Sequence, residues 1–219
     1  MFPKRFLFNF SFPCRHVKEL WRGDRAPLDE TYRLPVIDGL DADENASHSD
    51  QVDLRIAWNS KGLAFVVIVC GKKQSPWSRQ TQPEESDGLQ LCLDTRDVRN
   101  VHRATRFCHR LILLPGGPGA REEKAAAIWV PIHRAKNHPN PVSVGRITVK
   151  SSFSADGYRL DAMIPADVLT GFEPEEYPRL GFHYVLADRE IGPRFLALGP
   201  PFPHDQDPSL WPTLELIPG

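Results

Sequence analysis

Proline sets the strongest limit on what this chain can fold into: 21 of its 219 residues are proline, against an average usage of about 5%. Proline removes a backbone donor and clashes with the preceding helical turn, so it breaks helix interiors and is tolerated in turns, loops and strand ends. Long helices are therefore not expected, and short strands with long connections are. The hydrophobic pattern agrees. Val52, Leu54, Ile56 and Trp58 alternate with other residues, as one face of a strand requires. Asn59-Ser60-Lys61-Gly62 closes a hairpin into Leu63–Cys70, a nearly unbroken apolar run that reads as a central strand covered on both faces.

The same reading predicts strands at 31–37, 88–94, 102–114, 125–132, 142–152, 158–164, 180–188, 194–198 and 212–217. Alternating Phe6, Phe8, Phe10 and Phe12 predict an edge strand near the N-terminus. One segment carries a helix signature, Pro165 to Gly171, with proline just inside the start and glycine just past the end. Strands spaced by turn signals, without a βαβ pattern, give an all-β, jelly-roll-type β-sandwich with one short helix. No linker or repeat divides the chain. Residues 1–219 read as one domain, in which 1–30 form a strand and loop packed on a core of 31–217.

Charge narrows the partners. Lys and Arg total 27, Asp and Glu 28, for a formal net charge of −1, whereas nucleic acid or an anionic membrane calls for a strongly basic face. No apolar stretch approaches the ~18 residues of a membrane span. Asn9, Ser11 and Pro13 interrupt the phenylalanine-rich start, so it does not read as a signal peptide, and a cytoplasmic location is expected. Cys14, Cys70, Cys92 and Cys108 lie far apart with no CxxC pair and read as reduced thiols.

Catalytic signatures are missing. There is no GxSxG, and Gly116-Gly117-Pro118-Gly119 lacks the lysine and following helix of a phosphate loop. Asp188 and Glu190 stand roughly 6.5 Å apart along a strand, a spacing open to glycosidase chemistry but shared by any Asp-x-Glu. The densest chemistry is Arg96, Arg99, Arg103, Arg106 and Arg110 with His102 and His109. It reads either as a cationic patch for an acidic ligand, or as arginines paired internally with Asp87, Asp94, Asp97, Asp188 and Glu190. His102 and His109 fall on opposite strand faces, which argues against a shared metal. Trp58, Trp129 and Trp211 lie in strands and read as packing, whereas Trp77 sits in a polar loop, where an aromatic plane suits stacking on a sugar.

The order of motifs adds a resemblance. The turn Asp38-Gly39, the strand ending in Trp58, the Gly62-Leu63 hairpin, Pro76-Trp77 and the strand Asp87 to Asp94 come first. Gly157-Tyr158-Arg159-Leu160, Ile164-Pro165, Leu180-Gly181-Phe182 and Asp207-Pro208-Ser209 follow. Over residues 31–217 this resembles the DOMON-like, family 9 carbohydrate-binding-module domains. The resemblance implies a jelly roll without catalytic machinery that clamps a sugar between two tryptophans. Trp77 fits the first, Gln90 falls where the family has a glutamate, and Arg106 or Arg110 matches a sugar-contacting arginine. The second tryptophan is missing, its place reading Phe202-Pro203-His204-Asp205-Gln206, with Trp211 lying beyond the Asp-Pro-Ser turn. Asp38, Asp41 and Asp43, beside Glu44, are the candidates for a structural calcium, against a plain solvated turn; no other cofactor is expected.

The expected function is thus non-catalytic binding of an acidic or hydroxyl-rich saccharide, or another small polar ligand. The expected site comprises Trp77, Gln90, Arg96, Arg106, His109 and Arg110. A protein-interaction sandwich that has lost sugar binding and a glycoside-processing enzyme are the alternatives.

Overall fold

The double-faced apolar run is the centre of one of two stacked layers. The computed structural model describes residues 10–35, 51–117 and 124–219. Its strands are β1 (Ser11–His16), β2 (Val52–Asn59), β3 (Gly62–Val69), β4 (Gly88–Asp94), β5 (Cys108–Leu114), β6 (Ala126–Trp129), β7 (Thr148–Ser154), β8 (Gly157–Pro165), β9 (Arg179–Ala187), β10 (Arg194–Phe195) and β11 (Thr213–Ile217). They follow one path, β6-β5-β4-β9-β11-β1-β2-β3-β8-β7, with β10 added on β9.

The path folds over at β1. Ser11 to Arg15 pair in parallel with β11, and Arg15 and His16 pair in parallel with β2. This stacks β6-β5-β4-β9-β11 against β2-β3-β8-β7. Between the layers, Leu89, Leu91, Leu93, Leu111 and Leu113 meet Leu54, Ile56, Val67, Leu160 and Ile164 in one buried cluster. Phe65 of β3 stacks on Phe182 of β9 with ring centroids 6.3 Å apart. The fold is an all-β sandwich. Among the described residues no helix is long and apolar enough to cross a membrane.

Both faces of β3 are apolar because the chain covers its outer side too. Val17, Leu20, Ala26 and Leu28 pack on Ala57, Ala64 and Val66 there, and the Ala26 N–H donates to Asp161 Oδ1 at 3.1 Å to hold that segment down. Gly62 ends the preceding hairpin at φ +140°, and a Cβ there would collide with the Ile164 carbonyl. Only glycine fits so close a strand approach.

Five local expectations are corrected. β1 is an internal strand rather than an edge, because alternation reports which face is buried and not how many neighbours flank the backbone. Phe12 and Cys14 face the core, while Phe6 and Phe8 lie outside the described residues. Of the strand expected over 31–37, the described residues 31–35 form none: Asp29 caps a 3-10 turn at Glu30–Tyr32, and only Arg33 bridges to Arg55. The strand expected over 102–114 begins at Cys108, after a turn in which the Cys108 N–H donates to the Thr105 carbonyl at 3.0 Å. The strand expected from Val142 begins at Thr148, after a 3-10 turn at Val144–Arg146. The helix signature is realised as a single 3-10 turn, Ala166–Val168, with Gly171 at φ +78° beyond it.

Candidate functional site

The outer face of β4, β5 and β9 collects the polar chemistry. Register places Cys92 of β4 between Arg110 of β5 and His183 of β9, and Gln90 of β4 between Ile112 and Val185. Gln90 and Arg110 are therefore diagonal neighbours on one face, and Arg110 Nη2 donates to Gln90 Oε1 at 3.4 Å. Residues Phe202 to Trp211 and the loop after Trp77 rise at the edges. Arg110 Nη1 lies 2.7 Å from Glu84 and 3.6 Å from Asp205, and Gln90 Nε2 donates to the Glu84 carbonyl at 3.3 Å. The ring of His204 stands edge-on to His183 and Phe195, with centroids 5.4 and 5.2 Å away. Trp211, fully buried, anchors this loop by donating from Nε1 to the His204 carbonyl at 2.7 Å.

Three polar atoms in this floor, Arg110 Nε and both ring nitrogens of His183, are buried without a hydrogen-bond partner among the described residues. The guanidinium is 9% exposed, against 56% for Glu84 and 32% for Asp205. A nearly buried fork of donors thus sits below two more exposed acceptors, which suits a ligand that offers both donors and acceptors.

Of the six residues expected at the site, the structure brings together Gln90 and Arg110. Trp77 lies half-buried in the loop between β3 and β4, where its backbone exchanges hydrogen bonds with Asp87 at 2.8 and 2.9 Å. The Arg189 guanidinium covers its ring, 3.5 Å from the centroid. Arg96 lies elsewhere, between the rings of Phe107 and Tyr177 at 4.4 and 3.8 Å, and bonded to Glu173. Arg106 is exposed in the turn before β5 and lies over Phe107. His109 pairs with Leu93 and faces the interior, because neighbours along a strand point to opposite faces and Arg110 points out. Asp38, Asp41 and Asp43 lie outside the described residues, and among the described ones no group of three His, Cys, Asp or Glu could hold a metal ion.

Internal pairing accounts for much of the arginine run, and of the acids expected as partners only Asp97 forms a side-chain ion pair with it among the described residues. Arg99 and Arg179 share Asp97 at 3.6 and 3.3 Å, and Arg103 donates to the Arg134 carbonyl. Asp188 and Glu190 instead surround Lys72, at 2.6 and 3.7 Å, a buried lysine that no local pattern marks out. The structure also gathers His102, Asp207 and Ser209, but Asp207 Oδ2 and Ser209 Oγ both meet the same nitrogen, Nδ1. A relay needs the acid and the nucleophile on opposite ring nitrogens, so this cluster is a loop cap.

His183 and His109 make stability depend on pH. Burial pushes His183 from 6.5 down to about 3, with His204 acting in the same direction. Burial pushes His109 down to about 4, and the Thr170 backbone opposes this slightly. The unfolded chain takes up these protons near 6.5 and the folded chain only near 3–4, so stability is full above that upper value and falls as the pH drops below it. Asp87, Asp94 and Asp97, whose carboxyls burial raises, act in the opposite sense and soften the fall. A net loss of about 2–4 kcal/mol between neutral pH and pH ~4 is expected, read as a falling thermal midpoint. His109→Leu should remove part of the acid slope, and a flat wild-type profile would contradict this account.

No protein-family model matches the chain, and no curated protein matches it. Solved structures do. Two are of a family 9 carbohydrate-binding module from Caldicellulosiruptor kristjanssonii. One, in complex with cellotriose, is 14% identical with a TM-score of 0.62, covering 95% of this chain and 94% of that one. The other, in complex with glucose, is 15% identical with a TM-score of 0.62 and covers 95% and 96%. A putative carbohydrate-binding protein from Bacteroides uniformis is 13% identical with a TM-score of 0.55, covering 95% and 99%. The chain therefore has the sandwich fold of these binding modules over nearly its whole length.

Proposed function

We propose that this chain is a non-catalytic carbohydrate-binding module that takes a neutral, hydroxyl-rich sugar on the outer face of β4, β5 and β9. The observation that carries the reading is Arg110, a nearly buried guanidinium held against Gln90 between Glu84 and Asp205. Hydroxyls are at once donors and acceptors, so one sugar edge can engage the fork of Arg110, the amide of Gln90 and both carboxylates. The two acids outweigh the single arginine, which favours a neutral ring over a uronic one. Solved neighbours of the same fold bound to cellotriose and glucose support the same class. Phe202, 37% exposed in the loop that carries His204 and Asp205, is the aromatic surface available for stacking at the rim.

A glycan array followed by calorimetry tests this. Neutral oligosaccharides should bind, and Gln90→Ala should weaken them at least ~10-fold with an unchanged melting temperature, the loss of about 1.4 kcal/mol. Trp77→Ala should reduce binding only where the ring face not covered by Arg189 meets the sugar. Binding confined to uronic or sulfated sugars would overturn the neutral assignment. Silence across the array would move the reading to a protein-interaction sandwich.

A further inference from the structure

Where β3 and β9 end, one from each layer, the chain buries an amine against a carboxylate. Lys72 Nζ lies 2.7 and 2.6 Å from Oδ1 and Oδ2 of Asp188, and 3.8 Å from Asp87 Oδ2. The side chains of Lys72, Asp87 and Asp188 are 2%, 3% and 0% exposed. A nitrogen equally close to both carboxylate oxygens stands within about 3 Å of the carbon between them, so a small shift of the amine out of the carboxylate plane brings it to attacking position. The Tyr158 hydroxyl, also buried, has no hydrogen-bond partner among the described residues. Two buried charges in such a place carry a desolvation penalty that a neutral amide largely avoids.

We propose that Lys72 and Asp188 join in an intramolecular isopeptide bond that staples one layer of the sandwich to the other. The reaction needs no oxidant or co-reactant, because an ammonium and a carboxylate become one amide and one water. Lys72 first gives up a proton, which Asp87 passes to Oδ2 of Asp188, and the free amine then attacks Cγ of the neutral carboxyl, forming the N–C bond. Oδ1 carries the resulting negative charge, since it already accepts backbone N–H groups from Glu190 at 2.9 Å and Ile191 at 3.1 Å, the arrangement of an oxyanion hole. Two of the three ammonium protons reach Oδ2 through Asp87, the C–Oδ2 bond breaks, and water leaves. Burial raises the Asp87 carboxyl, which suits a group that must hold a proton and return it. The four cysteines are free, so no disulfide supplies this cross-layer link.

Intact-mass spectrometry of the reduced, denatured full chain decides the matter without any variant. The expected mass is lower than the sequence mass by one water, and proteolysis should yield a branched peptide joining the segments around Lys72 and Asp188. Lys72→Met and Asp188→Ala should each restore the full mass, and Asp87→Asn should leave most of the chain unlinked. Wild-type protein at its full sequence mass overturns the proposal. A water loss that maps instead to a succinimide at an Asp-Gly step, such as Asp87-Gly88 or Asp156-Gly157, overturns it equally.

Discussion

Replacing Arg110 with alanine is expected to weaken sugar binding at least ~30-fold, the scale of a binding hot spot. Its guanidinium supplies the only cation of the outer face that contacts Gln90, Glu84 and Asp205 together among the described residues. Removing it leaves Gln90 unoriented and two carboxylates repelling each other across the site. The cost in fold stability should be small by comparison, about 1–2 kcal/mol, because Glu84 and Asp205 are exposed enough to turn to water once the arginine is gone. Titration calorimetry with the best glycan, beside thermal unfolding, separates the two effects. Arg110→Lys keeps the charge and loses the planar fork, so it should fall between wild type and alanine. Equal affinity in all three proteins would remove Arg110 from the site.

Phe182→Ala should produce the largest loss of stability. Phe182 is fully buried and its ring touches three others, Phe12 of β1 at 5.9 Å, Phe65 of β3 at 6.3 Å and Tyr184 of β9 at 6.2 Å. It therefore joins both layers and the strand where the path folds over. Truncation leaves a cavity that β1, paired on both sides, cannot close, and the expected cost is about 3–5 kcal/mol. For a chain of this size that lowers the melting temperature by roughly 6–20 °C. Phe153→Ala on β7, where the ring is 44% exposed, should change stability by no more than ~0.5 kcal/mol. Similar losses for the two variants would contradict the packing described for the core.

Much of the candidate site was legible in the pattern. Alternation through β4 separates Gln90 and Cys92 from Leu89, Leu91 and Leu93, and the same rule in β5 turns Arg110 outward. It also turns His109 inward with Leu111, so the two adjacent residues never belonged to one site. His183 was as legible as Gln90, since it alternates with Phe182 and Tyr184 in β9, but a lone histidine inside an apolar strand carries no sign of its own. Glu84 and Asp205 lie in loops, where no period reports direction.

The sequence by itself determined the class of fold, because proline content, apolar alternation and turn residues act on the few residues beside them. It therefore settled that strands form near Val52, Leu63, Gly88 and Tyr158, and which side chains share a face. The tertiary structure decided which elements become neighbours and hence what each charge meets. Lys72 reaches Asp188 across 116 positions, Arg96 finds Glu173 and the rings of Phe107 and Tyr177, and β1 joins the two layers instead of lining an edge. The physical reason is range. Backbone preference is local, whereas an ion pair or a strand pairing depends on a register set by the packing of the whole core.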